Sequence, residues 1–214
     1  MSKIAISIRN VNKSFKGEKV LKNITHDFEE GKVHGIVGFN GSGKTVLFKC
    51  ICGFLIPSSG HILVNGKQVG RDIDFPDSMG LIIESPGFLP NISGFMNLKL
   101  LADLKGKIKD KDIYEAISKV GLDPKSKKHV GKYSLGMRER LGIAQAIMED
   151  PELLILDEPF NGLDKHGVQD VYQLITEMKN MGKTILLASH NAVDIEILCD
   201  TVCEMDAGVL ERIR

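Results

Sequence analysis

Between residues 3 and 9 apolar side chains recur at every second position (Ile4, Ile6, Ile8), the period that predicts a half-exposed strand. The stretch Asn10-Val11-Asn12-Lys13-Ser14-Phe15 follows and ends in an aromatic beside Lys16-Gly17. A second strand-like run covers 20–28 and closes at Glu30-Gly31. Four shorter runs are apolar without alternation: 33–37, 81–83, 153–156 and 184–189. Each predicts a buried strand, and 61–66 predicts a strand entering a tight turn. Helical spacing is found elsewhere. A short helix is expected over 46–52, stopped by Gly53, and another over roughly 166–180. From about 92 to 150 the pattern stays helical, with Ile113, Ala116, Ile117 and Val120 on one face and a stop at Gly121. Ser134 is a good N-cap for a further helix carrying Leu141, Ala144 and Met148. The last residues, from Thr201, predict a hairpin turning at Asp206-Ala207-Gly208. Strands alternating with helices predict an α/β fold, and three successive helices predict a helical insert. The expected division of this single domain is a core of 1–90 and 151–214, with the insert at about 91–150.

Composition narrows the possibilities. With 214 residues, 43% of them hydrophobic and 26% charged, the chain has the makings of an ordinary folded domain. Lys+Arg and Asp+Glu balance at 28 each, so no general basic field favours nucleic acid. No apolar run approaches the roughly 18 residues of a membrane span. The first residues, Met1-Ser2-Lys3-Ile4, lack the apolar core of a signal segment. A cytoplasmic protein is expected, with any membrane connection made through a partner. The cysteines at 50, 52, 199 and 203 lack zinc-site spacing and are expected to be reduced core residues.

The chemistry begins at Gly38-Phe39-Asn40-Gly41-Ser42-Gly43-Lys44-Thr45, a complete GxxxxGK[ST] pattern between a predicted strand and a predicted helix. Glycines let successive backbone N–H groups and a helix N-terminus face negative charge. Lys44 adds a cation, and Thr45 offers a hydroxyl to Mg²⁺. The stretch therefore predicts binding of a nucleoside triphosphate. Polar residues also stand at strand tips, where open α/β sheets place their ligands: Glu84, Asp157, Glu158 and His190. Strand alternation would send Asp157 and Glu158 to opposite sides, one toward Mg²⁺ and one toward an attacking water. Phe15 is either a stacking face for a purine or a strand-edge aromatic.

Together these residues resemble the nucleotide-binding subunit of an ABC transporter along nearly the whole chain. Residues 38–45 match the Walker A loop, and Leu153-Leu154-Ile155-Leu156-Asp157-Glu158 matches the Walker B strand with its glutamate. Asn161-Gly162-Leu163-Asp164 is similar to the dimer-contact loop, and His190 to the switch histidine. Tyr133-Ser134-Leu135-Gly136-Met137 stands where the family usually has LSGGQ, so Leu135 and Met137 replace Gly and Gln. Glu84 stands where most members carry glutamine. That change, with Pro86-Gly87-Phe88-Leu89-Pro90-Asn91 and the run from Ser134 to Leu141, resembles ATPases of bacterial exporters for bacitracin and lantibiotics.

The resemblance implies a P-loop NTPase (RecA-like) core with an N-terminal antiparallel β subdomain and an inserted α-helical subdomain. It implies ATP and Mg²⁺ as cofactors. Nucleotide contacts are expected from Phe15, Gly38, Phe39, Asn40, Gly41, Ser42, Gly43, Lys44, Thr45, Val46, Ser134, Gly136 and Asp164. Mg²⁺ is expected at Thr45, Asp157 and Glu84, with Glu158, His190 and Lys44 as the catalytic groups. The implied partners are a second ATPase subunit, like or unlike, and transmembrane permease subunits at the inner face of the membrane, with no nucleic acid. Two rival functions lie outside transport: an ABC ATPase acting on a ribosome or other macromolecule, and a plain P-loop kinase. The second would lack the signature helix and the strand-end histidine.

Overall fold

The computed structural model describes residues 3–84 and 86–214. Met1 and Ser2, read above for a signal segment, and Ser85 lie outside the described residues. Along the chain the elements are β1 (Ile4–Phe15), β2 (Glu18–Glu29), β3 (Val33–Val37), α1 (Lys44–Ile51), β4 (Ser59–Val64), β5 (Lys67–Gln68) and β6 (Met79–Ile82). Three helices follow, α2 (Gly94–Lys105), α3 (Asp110–Lys119) and α4 (Leu135–Ile147), with a 3₁₀ turn at Val130–Lys132. The chain then alternates through β7 (Leu153–Asp157), α5 (Lys165–Asn180), β8 (Thr184–Ala188), α6 (Ala192–Leu198), β9 (Thr201–Asp206) and β10 (Val209–Arg212).

Two sheets result. The first is antiparallel, in the order β2-β1-β4-β5. The second runs β10-β9-β3-β8-β7-β6 and is parallel except for the edge strand β10. Its central strands are buried on both faces, which accounts for their unbroken apolar sequences. Alternate residues feed two cores. Leu154 and Leu156 of β7 and Ile185 and Leu187 of β8 pack with α2–α5. Leu153, Ile155, Leu186 and Ala188 pack on the other side with α1 and the antiparallel sheet. The C-terminal ends of β3, β6, β7 and β8 thus lie along one sheet edge, and the predicted polar tips gather there.

The α/β class and the run of three helices agree with the sequence reading. Ser134 caps α4 by accepting the Met137 N–H at 3.2 Å. Ile113, Ala116, Ile117 and Val120 are buried together. The antiparallel strands run longer than predicted. β1 continues to Phe15 through register shifts and ends in a two-residue hairpin at Lys16-Gly17, both with positive φ (48° and 89°). Helix α1 starts at Lys44 rather than Val46, because the loop glycines hand the chain directly into its first turn. Helix α6 has no counterpart in the sequence expectations, because its seven residues are too few to show a helical repeat. All four cysteines are free and buried, as expected.

Candidate phosphate-transfer site

The turn between β3 and α1 depends on its glycines. Gly38 has φ 149°, and a Cβ there would stand 2.2 Å from the Met205 carbonyl oxygen. Gly43, with φ 115°, is the residue on which α1 opens. These conformations leave the α1 N-terminus bare and surrounded by backbone N–H groups, an anion-binding geometry. The Lys44 ammonium lies inside the loop, donating to the Gly38 carbonyl at 2.6 Å and to Phe39 at 3.2 Å. Ser42 Oγ is buried there without a hydrogen-bond partner among the described residues.

Across the cleft, the Thr45 hydroxyl donates to Asp157 Oδ2 at 2.7 Å, joining the first turn of α1 to the end of β7. Burial pushes the Asp157 carboxyl above its ordinary value, opposed by the Thr45 hydrogen bond and then reinforced by the charge of Glu158. Glu158 does not leave the strand by simple alternation. Its φ is 53°, so a left-handed turn aims the side chain, while its N–H still reaches the Ala188 carbonyl at 3.0 Å. The two carboxylates are therefore not sent to opposite sides: both line one cleft, and the charge of Glu158 is felt by Asp157. Glu158 Oε2 accepts from His190, whose Nδ1 lies 2.7 Å away, and Glu158 Oε1 is buried with no hydrogen-bond partner among the described residues.

A cleft of about 630 Å³ holds much of the predicted set: Phe39, Asn40, Gly41, Gly43, Lys44, Thr45, Val46, Glu84, Asp157 and Glu158. Gly38 and His190 line an adjoining cleft of about 820 Å³ that shares Phe39 and Asn40. Glu84 reaches the first cleft from the end of β6 but is engaged by Lys49 of α1 at 2.7 Å. Phe15 lies apart from both linings, 41% exposed at its hairpin tip, with the Lys13 ammonium 5.1 Å from its ring centre. Ser134 and Asp164 act here as N-caps, of α4 and α5, and Asp164 also approaches Arg140 at 3.7 Å. Gly136 packs on the loop after β7: a Cβ there would be 2.7 Å from the Gly162 carbonyl oxygen.

Two residues of this neighbourhood, Lys49 and Glu139, carry no site expectation from the sequence, whereas Asn161 belongs to the loop similar to the dimer contact. Lys49 is the partner of Glu84. Asn161 and the buried Glu139 line the cleft, and burial raises the Glu139 carboxyl above its usual range. Glu139 sits between Arg138 and Arg140, a run that resembles solvated helix surface, and only its place on the inward face of α4 gave a signal.

Chemically, the cleft joins an anion-binding loop and a buried cation to hard oxygen donors at Thr45 and Asp157, a set that fits Mg²⁺ held beside phosphate. The orphaned Glu158 oxygen adds an acceptor for a water proton.

Comparison with known proteins agrees with this chemistry. Residues 21–161 match the family model described as ABC transporter. The chain is 45% identical over 206 residues to the uncharacterized ABC transporter ATP-binding protein YybJ of Bacillus subtilis (strain 168), covering 96% of this chain and 94% of that protein. It is 37% identical to the bacitracin transport ATP-binding protein BcrA of Enterococcus faecalis, covering 96% of this chain and 67% of BcrA. In fold it is similar to the ATP-binding cassette MJ0796, solved as a dimer in a post-hydrolysis state with ADP and Pi. The TM-score is 0.88 at 22% identity, covering 98% of this chain and 99% of that one. With the loop, the carboxylate strand and the terminal histidine in place, this chain belongs to the ABC transporter ATP-binding family and is an ATPase.

Proposed function

We propose that the chain hydrolyses Mg²⁺-bound ATP to drive export of a peptide antibiotic or similar amphiphile through separate membrane subunits. The observation that carries the hydrolytic part is the Glu158–His190 pair at 2.7 Å, with the second Glu158 oxygen buried and without a partner beside the phosphate loop. In this reading the loop N–H groups and Lys44 hold the β- and γ-phosphates. Glu158 orients and deprotonates the attacking water, and His190 holds the γ-phosphate. Thr45 and Asp157 hold the metal ion, with Glu84 reaching it or its water. The ion, when bound, neutralises charge developing on the transferred phosphoryl group. The catalytic contribution of the protein is position and electrostatics, so loss of single groups is costly.

Two copies are proposed to close head to tail, bringing Ser134 and Gly136 of one to the ATP of the other. Phe15 is proposed to stack on adenine, and Asp164 to lie near the shared nucleotide. The helices α2–α4 are proposed to act as an inserted unit at about 91–150. Among the described residues no helix is long and apolar enough to cross a membrane, which supports a peripheral subunit docked on permeases. Likeness to BcrA, named for bacitracin transport, supports the cargo class.

The test is Glu158→Gln. ATP binding should persist while hydrolysis falls by about 10²-fold or more; hydrolysis at the wild-type rate would remove Glu158 from its role. Co-purification with a multi-span membrane protein, and bacitracin sensitivity on deletion, test the transport assignment.

A further inference from the structure

The geometry points to Tyr172 and Asp194 as positioning residues for hydrolysis, members of a buried network that holds His190 against Glu158. This inference rests on the roles proposed above for those two groups. The His190 side chain is 66% exposed, so packing does little to fix its ring. Its two chain neighbours are fixed instead. Ser189 is buried and donates its hydroxyl to Asp194 Oδ2 at 2.6 Å. The Asn191 amide donates to Asp194 Oδ1 at 3.2 Å, and the Asn191 backbone N–H donates to Ser189 Oγ at 3.1 Å. Asp194 is itself only 2% exposed.

A third donor comes from another helix. The Tyr172 hydroxyl of α5 reaches Asp194 Oδ1 at 2.5 Å. Burial pushes this phenol far above its ordinary value, and the hydrogen bond to Asp194 pushes it further, so it stays a donor at any working pH. One buried carboxylate therefore collects hydrogen bonds from α5 and from both sides of His190. Such a group is tolerated only when its lone pairs are met, which ties the turn tightly to the helix.

The Tyr172 ring also reaches back toward the other half of the site. It meets the ring of Phe160 edge-on, with centres 5.3 Å apart at 90°. Phe160 follows Glu158 by two residues. The contacts close a loop: Glu158, Phe160, Tyr172, Asp194, the turn from Ser189 to Asn191, His190, and Glu158 again through the 2.7 Å contact. Both groups proposed to act on the γ-phosphate and water are thereby set relative to one side chain. Hydrolysis is sensitive to such spacing, since misplacement by about 1 Å costs on the order of 10²-fold.

The experiment uses the purified full chain and measures Mg²⁺-dependent ATP hydrolysis against ATP concentration, with His190 followed by imidazole NMR. Tyr172→Phe keeps the ring on Phe160 and removes only the hydroxyl. It should lower kcat about five- to fifty-fold with KM for ATP within about twofold. The His190 resonance should move while those of His26 and His34 stay in place. Ser189→Ala should behave alike and serves if Tyr172→Phe does not fold. Unchanged kcat, or a loss that merely tracks the folded fraction with the His190 signal unmoved, overturns the inference. If Glu158→Gln hydrolyses ATP normally, the reading of the site fails; if it is inactive while Tyr172→Phe is unaffected, only the positioning role fails.

Discussion

Lys49 Nζ lies 2.7 Å from Glu84 Oε1, tying α1 to the turn after β6 at the mouth of the phosphate cleft. Glu84 itself sits at φ 61°, a conformation disfavoured for a side chain of its kind. The pair is partly exposed and contributes little to stability, about 0–1 kcal/mol. Its effect should lie in the electrostatics of the cleft, where Glu84, Asp157, Glu158 and Glu139 converge. Lys49→Met removes a positive charge and frees the Glu84 carboxylate. The half-saturating Mg²⁺ concentration for hydrolysis should fall a few-fold in Lys49→Met and rise in Glu84→Gln, with melting temperatures nearly unchanged. Identical Mg²⁺ curves for both variants would take Glu84 out of the metal site.

Asp157 carries a stability cost that reverses on ligand binding. Burial raises its carboxyl in the folded chain, so the fold binds a proton at a pH where the unfolded chain has released it. Stability from this residue is therefore largest in acid and is lost as pH rises through the folded-state value. Asp157→Asn keeps an oxygen for the Thr45 hydroxyl and removes the buried charge. At neutral pH the ligand-free variant should melt higher by roughly 2–4 °C, equivalent to about 1 kcal/mol, and the gain should shrink toward the carboxylate range. The same variant should lose the thermal shift that Mg²⁺ and ATP give the wild type. Calorimetry at several pH values checks both signs.

Three glycines should respond in a definite order to alanine. Gly38→Ala meets the Met205 carbonyl oxygen, a backbone atom, at 2.2 Å in a positive-φ conformation and should disable the loop. Gly136→Ala approaches the Gly162 carbonyl oxygen at 2.7 Å and should cost about 1–3 kcal/mol by overpacking. Gly41→Ala faces open space, so backbone strain of about 1–2 kcal/mol is its only cost. Chemical denaturation should rank Gly38 as most sensitive; equal losses would contradict the close approaches.

Phe15 stands free at its hairpin tip, attended by Lys13. Should it stack on adenine, Phe15→Ala would remove about 1–3 kcal/mol of base–aromatic contact. Affinity for ATP, measured by titration calorimetry, should weaken by about tenfold or more while kcat at saturation holds. No change in affinity would leave Phe15 a strand-edge aromatic.

Much of the fold was legible because its signals are local. Unbroken apolar runs ending in Gly38, Asp157 and His190 identify buried strands with functional tips, and the glycine spacing identifies the loop between β3 and α1. Ser134 announced α4 as its cap. Where periodicity was weak the reading missed: β1 passes through its irregularities to Phe15, and α6 has too few residues to show a repeat.

The sequence alone determined the α/β order, the phosphate loop and the identities of the groups at the strand tips, since each depends on residues adjacent in the chain. Only the tertiary structure decided how those groups are aimed. The left-handed turn at Glu158, the Lys49–Glu84 pair and the joining of Tyr172 to Asp194 link residues from separate elements. A hydrogen bond or ion pair leaves no mark in one-dimensional spacing when its partners meet only after sheet and helices have packed. The same packing excludes water from Asp157 and Asp194, and burial is what makes their charges matter.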